Sequence, residues 1–226
     1  MKGSEDLQAG TRPVKEGTHK KEKSQRKKQQ IVSSFIELVQ NKPWNRISVM
    51  ELCRKTEITR GTFYLYYEDI CDLMEQIETE LLEDLKKRYA GCRRTARPGS
   101  LVRDFPDRFD CTPPDIFPTW YEFCRDNREN LLPLLDRKNG DAYFVRRLRQ
   151  VIREALEVIM DSEGTAKDEL RLHFTEICIE LHLLSAQTWL SNDSADFLSV
   201  DDIVNLLNTM RVGSMYLSWR NGKENG

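Results

Sequence analysis

The densest hydrogen-bonding chemistry in this chain lies in one short run, Thr59-Arg60-Gly61-Thr62-Phe63-Tyr64-Leu65-Tyr66-Tyr67. A guanidinium offers a planar fork of donors, and Thr and Tyr hydroxyls both donate and accept, so together they suit phosphate oxygens and base edges. The spacing predicts a short helix over 60–67, with the Thr59 hydroxyl accepting an orphan backbone N–H at its start. Phe63 and Tyr67, four apart, share one face with Ile58 nearby, and this is the side to bury. Arg60 with Tyr64, and Thr62 with Tyr66, then lie on faces left free. Gly61 adds no side-chain bulk. Glycine in an exposed helix costs about 1 kcal/mol relative to alanine, which the close approach of another surface, such as a DNA backbone, would explain.

Two further helices must position that run. Ile31, Phe35, Leu38 and Val39 recur at helical spacing and predict an amphipathic helix over 24–40 that stops before the turn-forming Asn41-Lys42-Pro43-Trp44. Ser48 is placed to cap a second short helix, with Glu51 at the reciprocal capping-box position and Val49, Leu52 and Cys53 facing inward. Two short capped helices packed on a longer one describe a helix-turn-helix. The charge distribution suits a polyanion at this end: residues 1–70 carry 14 Lys+Arg against 9 Asp+Glu, and residues 71–226 carry 21 against 28. Lys20, Lys21, Lys23, Arg26, Lys27 and Lys28 form a basic run. Together with the polar residues before it, this run reads as a disordered arm over 1–23, either simply solvated or in contact with DNA.

Other chemistries find little support. The sequence contains no Gly-rich nucleotide loop, no GxSxG elbow and no HExxH. His173 and His182 are nine residues apart, on opposite sides of a helix, and cannot share an ion. The reading is therefore a non-enzyme without a cofactor or bound metal. The six cysteines (53, 71, 92, 111, 124 and 178) form no CxxC pair and read mostly as core, with a redox-sensing thiol as the alternative. No apolar run is long enough to span a bilayer and the lysine-rich start lacks a secretory pattern, so the expected compartment is the cytoplasm.

Beyond Asp69 the pattern predicts a long helix to about residue 94, an irregular proline-rich stretch over 96–114, and helices over 115–127, 128–137, 141–161, 165–192 and 200–220. The fold class is all-α, divided into the arm (1–23), the helix-turn-helix (24–70) and a second helical domain (71–226). The aromatics of that second domain fit either an ordinary core or the walls of an effector cavity, and Trp120, Tyr121, Phe144, Phe174 and Trp189 are the candidate cavity residues. Leu170, Phe174, Ile177, Leu181 and Leu184 step by three and four. So do Ile203, Leu206, Met210, Gly213 and Leu217. Stripes this wide either pack within one subunit or pair with a second copy in a four-helix bundle. For the paired case the interface residues are Leu170, Phe174, Ile177, Leu181, Leu206, Met210, Gly213 and Leu217.

The run over 31–73, IVSSFIELVQNKPWNRISVMELCRKTEITRGTFYLYYEDICDL, resembles the DNA-binding domain of the TetR family of repressors, and Thr59 to Tyr67 follow its recognition-helix pattern in order. NRENLLPLLDRKNGDAYFVRRL and the last helices are more weakly similar to C-terminal domains of one branch. The resemblance implies a homodimer that binds palindromic operator DNA and is released by a small-molecule effector. It places Ser48, Thr59, Arg60, Thr62, Tyr64 and Tyr66 toward DNA, Gly61 close to its backbone, and the dimer contact on the last two helices. A coactivator or protein-interaction module on the same scaffold is the alternative. Two positions depart from the family pattern: Thr56-Glu57 stands where the turn often has Ala-Gly, and Ile70 where a phosphate-binding lysine is common.

Overall fold

The computed structural model describes residues 15–92, 112–162, 165–191 and 198–224, and every regular element among them is helical. The elements are α1 (Lys15–Val39), a 3-10 turn (Trp44–Arg46), α2 (Val49–Thr56), α3 (Arg60–Tyr64), α4 (Ile70–Gly91), α5 (Ile116–Asp126), α6 (Arg128–Leu135), α7 (Ala142–Ser162), α8 (Glu169–Ser191) and α9 (Val200–Glu224). The proline-rich stretch expected over 96–114 lies almost wholly outside the described residues, as do residues 1–14 of the expected arm and Cys111.

The first helix begins at Lys15, so the stretch 15–23, expected to be disordered, is helical. Lys, Glu, Gln and Arg are strong helix formers, and a helix already nucleated on the core can extend through them without an apolar face of its own. From Ile31 onward α1 buries Ile31, Phe35, Ile36 and Val39. The third helix is shorter than expected: it ends at Tyr64, and the Tyr66 and Tyr67 amides both turn back to the Phe63 carbonyl at 2.9 and 3.1 Å.

One buried cluster runs from α1 through α4 into the second domain. Helix α4 links the two parts. Its Ile70, Leu73 and Met74 belong to the head, and its Ile77, Leu81, Leu82 and Leu85 carry the same apolar stripe onward. In the second domain α5 lies against α4, α8 and α9, while α7 is packed between α4 and α8. Trp120, Tyr121, Phe123 and Phe144 are fully buried there. Truncating any of them to alanine would cost about 3–5 kcal/mol through lost transfer energy and the cavity left behind.

The corner between α6 and α7 is tightly determined. Asp136 accepts the Lys138 and Asn139 amides on one carboxylate oxygen at 2.9 and 2.7 Å, and the Gly140 amide returns to the Asp136 carbonyl at 3.0 Å. A Cβ on Gly140 would lie 2.3 Å from the Leu134 carbonyl oxygen, so only glycine fits there.

Candidate nucleic-acid interface

Three caps build the head. Ser48 Oγ accepts the Glu51 amide at 3.2 Å, Thr59 Oγ1 accepts the Thr62 amide at 3.1 Å, and Asp69 accepts the Asp72 amide at 2.8 Å. Each satisfies a backbone donor that has no partner inside its own helix. The Glu51 carboxylate pairs with Lys42 Nζ at 2.5 Å, and this hydrogen bond, with a smaller contribution from the Ser48 backbone amide, holds its pKa below the usual carboxylate range.

On α3 the buried side is Phe63 and, just past the helix, Tyr67, their rings 5.7 Å apart. Arg60, Gly61 and Tyr64 are exposed, and Thr62 and Tyr66 are half-buried. Ser48 and Thr59 are exposed but already serve as caps. The Thr59 and Thr62 hydroxyls also share a hydrogen bond of 2.9 Å. A Cβ on Gly61 would meet only Thr59 Oγ1, at an ordinary 3.8 Å, so nothing inside the chain requires a glycine at this position.

Two features of this surface, the placement of Lys28 and the exposure of Leu65, were not read from the sequence. Lys28, from the basic run on α1, stands 5.7 Å over the Tyr67 ring, which places that cation beside α3. Leu65 is 79% exposed next to Tyr64. Glu57 terminates α2 in the left-handed region at φ 55°, ψ 43°, the backbone that the family's usual glycine adopts without strain. Ile70 is buried as the first residue of α4 and offers nothing to a phosphate.

The candidate cavity residues lie in the packed core of the second domain. A cavity of about 420 Å³ lies among α4, the start of α5, and α7, lined by Tyr89, Ile116, Val151, Ala155, Val158 and Ile159 among others. None of Trp120, Tyr121, Phe144, Phe174 or Trp189 lines it. Trp120, Tyr121, Phe144 and Trp189 are buried and Phe174 is half-buried against the same cluster. Their large apolar area is used in packing α5, α7 and α8 together. Their polar atoms have protein partners: Trp120 Nε1 donates to the His182 carbonyl at 3.3 Å, Tyr121 shares a 2.5 Å hydrogen bond with Ser185, and Trp189 Nε1 donates to the Leu198 carbonyl at 3.0 Å.

The last two helices leave apolar residues in water. Leu170 is 76% exposed, Leu206 60%, Ile177 59% and Met210 53%, while Phe174 and Leu181 are half-buried and Gly213 is exposed. The side chain of Leu217 lies outside the described residues. His173 is exposed, and His182 is buried with Nδ1 2.7 Å from the Cys178 carbonyl. Among the described residues no group of three His, Cys, Asp or Glu side chains is placed to hold a metal ion, and no helix is long and apolar enough to cross a membrane.

A short capped helix on a three-helix head, joined by one long helix to an all-helical second domain, defines the helix-turn-helix class of protein. More narrowly, the chain has the fold of the TetR-family transcriptional regulators. A TetR-family transcriptional regulator from Streptomyces coelicolor is 17% identical and superposes with a TM-score of 0.58 over 88% of this chain and 85% of that one. NalD, the secondary repressor of the MexAB-OprM multidrug efflux pump in Pseudomonas aeruginosa, is 18% identical with a TM-score of 0.52 over 84% and 97%. The fatty acid degradation regulator FadR of Bacillus halodurans is 11% identical with a TM-score of 0.52 over 81% and 93%. No protein-family model and no curated protein matches the sequence.

Proposed function

We propose that this chain is a homodimeric, DNA-binding transcription regulator. The observation that carries the reading is the division of labour on α3: Phe63 and Tyr67 are buried, while Arg60 and Tyr64 stand exposed beside Thr62, Gly61 and the basic face of α1. Two such heads in one dimer would enter successive major grooves about 34–36 Å apart, with Ser48, Thr59, Arg60, Thr62, Tyr64 and Tyr66 making the contacts. The apolar stripes of α8 and α9 supply the dimer surface. A small molecule in the cavity beside α4 and α7 would shift the heads and weaken the DNA complex, and DNA would weaken the ligand by the same factor. The regulator and repressor roles of the structural neighbours agree with this reading.

Selection from random duplex by the full chain, followed by affinity measurement at rising salt, is the test. A palindromic product and a steep loss of affinity with salt are expected. The double variant Arg60→Ala, Tyr64→Ala should bind that duplex at least about 30-fold more weakly, since each good base contact is worth roughly 1–3 kcal/mol. Equal binding by the variant would remove α3 from the interface.

The protein-interaction reading is favoured by one observation, the apolar exposure of Leu65 and Met50 on the same head, together with the anion Glu57. It predicts no selected duplex at any salt.

A further inference from the structure

Besides the packing of α1 on α6, a side-chain hydrogen bond ties the head to α7, remote from α4's covalent link. Trp44, in the 3-10 turn between α1 and α2, donates its indole N–H to Asp141 Oδ2 at 2.6 Å, across 97 positions of sequence. The other oxygen of Asp141 accepts the Tyr143 and Phe144 amides at 2.6 and 2.9 Å and so caps α7. One carboxylate thus holds both the start of α7 and the head. Its direction is set by the rigid corner before it, where Gly140 admits no side chain and the Asp141 amide returns to the Leu134 carbonyl at 3.1 Å. The side-chain amide of neighbouring Asn139 adds a longer hydrogen bond, donating from Nδ2 to the Gln40 carbonyl just past the end of α1 at 3.4 Å. The far half of α7, from Val151 to Ile159, walls the cavity, roughly 15–27 Å along the helix from Asp141 at 1.5 Å per residue.

We propose that the Trp44–Asp141 hydrogen bond is a positioning contact that fixes the angle of the reading head on α7, so that a displacement of α7 at the cavity reaches the head without passing through α4. The proposal rests on the DNA-binding reading above. An indole N–H on a carboxylate is charge-assisted and directional, and in this half-buried setting water competes for it weakly. The α4 link and the packing of α1 on α6 attach the head to the second domain, and the hydrogen bond adds a directional tie to α7. In a two-headed dimer the head angle sets which half-site spacing is accepted.

Two conservative variants of the full chain test it. Trp44→Phe keeps the ring and removes the donor. Asp141→Asn keeps an oxygen to cap α7 and turns an amide that cannot accept toward Trp44. Both are measured on the duplex that the wild type selects and on versions with the central spacer one base pair longer or shorter. In each variant, affinity at the selected spacing should fall about 5-fold, the scale of one hydrogen bond, while affinity at the altered spacings stays the same. The double variant should lose no more than either single one. An equal fall at every spacing, or no change, overturns the positioning role while leaving DNA binding intact. A wild type that selects no duplex defeats the DNA-binding reading and the positioning role with it. The contact has its own readout in the Trp44 indole proton, which should exchange slowly in the wild type and rapidly in Asp141→Asn. Rapid exchange in the wild type overturns the contact itself.

Discussion

The two outward surfaces of this molecule are built on opposite physics. On α3 the exposed groups are polar or amphipathic, with hydrogen bonds that water can satisfy, so this surface stands in solvent at little cost. On α8 and α9 the exposed groups are Leu170, Ile177, Leu184, Leu206 and Met210, for which water is the wrong solvent. Fully burying an exposed side chain of this kind stabilises by about 1.5–3 kcal/mol, so the apolar rows on α8 and α9 are the candidate contact surfaces. A polar surface selects its partner by geometry and weakens with salt, whereas an apolar one binds by area and hardly responds to salt.

The largest effect should come from breaking the apolar side. Ile177→Glu combined with Leu206→Glu would place carboxylates on the proposed dimer surface, and burying an unpaired charge is far more costly than losing a methyl contact. The wild type should scatter light as a dimer at micromolar concentration and keep that mass in high salt. The double variant should be monomeric with its helical content unchanged, its dimer dissociation constant raised at least about 100-fold. A wild-type monomer would show that both stripes are open for some other reason. Duplex affinity should fall with the dimer, because two heads then no longer share one binding event.

How much of each surface could be read from the chain follows from the same contrast. The caps at Ser48 and Thr59 and the burial of Phe63 and Tyr67 depend on residues three or four apart, and local spacing carries that information. The stripes of α8 and α9 are equally local, although α9 rests mainly on α5 rather than forming a hairpin with α8. The cavity is not local. It arises where α4, α5 and α7 fail to fill the space between them, and nothing in the spacing of Tyr89, Ile116 and Val151 announces that they converge. The aromatics Trp120, Tyr121, Phe144, Phe174 and Trp189 lie apart from this cavity, in the core, where large rings close gaps. Trp44 and Asp141, 97 positions apart, were invisible for the same reason. The early start of α1 was missed because apolar periodicity is silent where a helix runs beyond the core.

Between the two surfaces, the α4–α7 contact buries a carboxylic acid. Glu78 on α4 is almost fully buried, and burial pushes its pKa up to about 7, aided by the charges of Asp141 and Glu75 and opposed by Arg147 at 3.4 Å. A folded pKa above the ordinary 4.5 means that the folded state holds its proton longer than the unfolded chain. Stability from this group is therefore complete below pH 4.5, is lost as pH rises toward 7, and does not change further above that. The loss is on the order of 3 kcal/mol. Glu78→Gln should remove this slope: the variant should be more stable than the wild type at pH 8, with the difference vanishing near pH 4. A difference that stays constant across that range would mean that Glu78 is ionised throughout. Comparison of urea midpoints at several pH values decides it, and the exposed surface of α3 should contribute nothing to the effect.

The smallest effect sharpens the polar side. Glu57 holds a left-handed backbone at φ 55°, where the Ile58 amide closes α2 on the Cys53 carbonyl at 3.0 Å. An L-residue with a Cβ pays roughly 1–2 kcal/mol there, and a glycine escapes that cost but gives back about 0.4–1 kcal/mol in the entropy of the unfolded chain. Glu57→Gly should therefore stabilise the fold by about 0.5–1 kcal/mol, read from the urea midpoint. It also removes an anion from the approach to α3, so duplex affinity should rise about two- to fivefold at low salt, a gain that shrinks as salt screens it. Glu57→Gln separates the two causes, since it keeps the strained backbone and removes the charge. If Gln reproduces the affinity gain without the stability gain, the charge governs recognition and the backbone governs the turn. If Gln leaves affinity unchanged while Gly raises it, freedom at the end of α2 is what lets α3 settle into a groove, and the polar surface is tuned by its support as much as by its side chains.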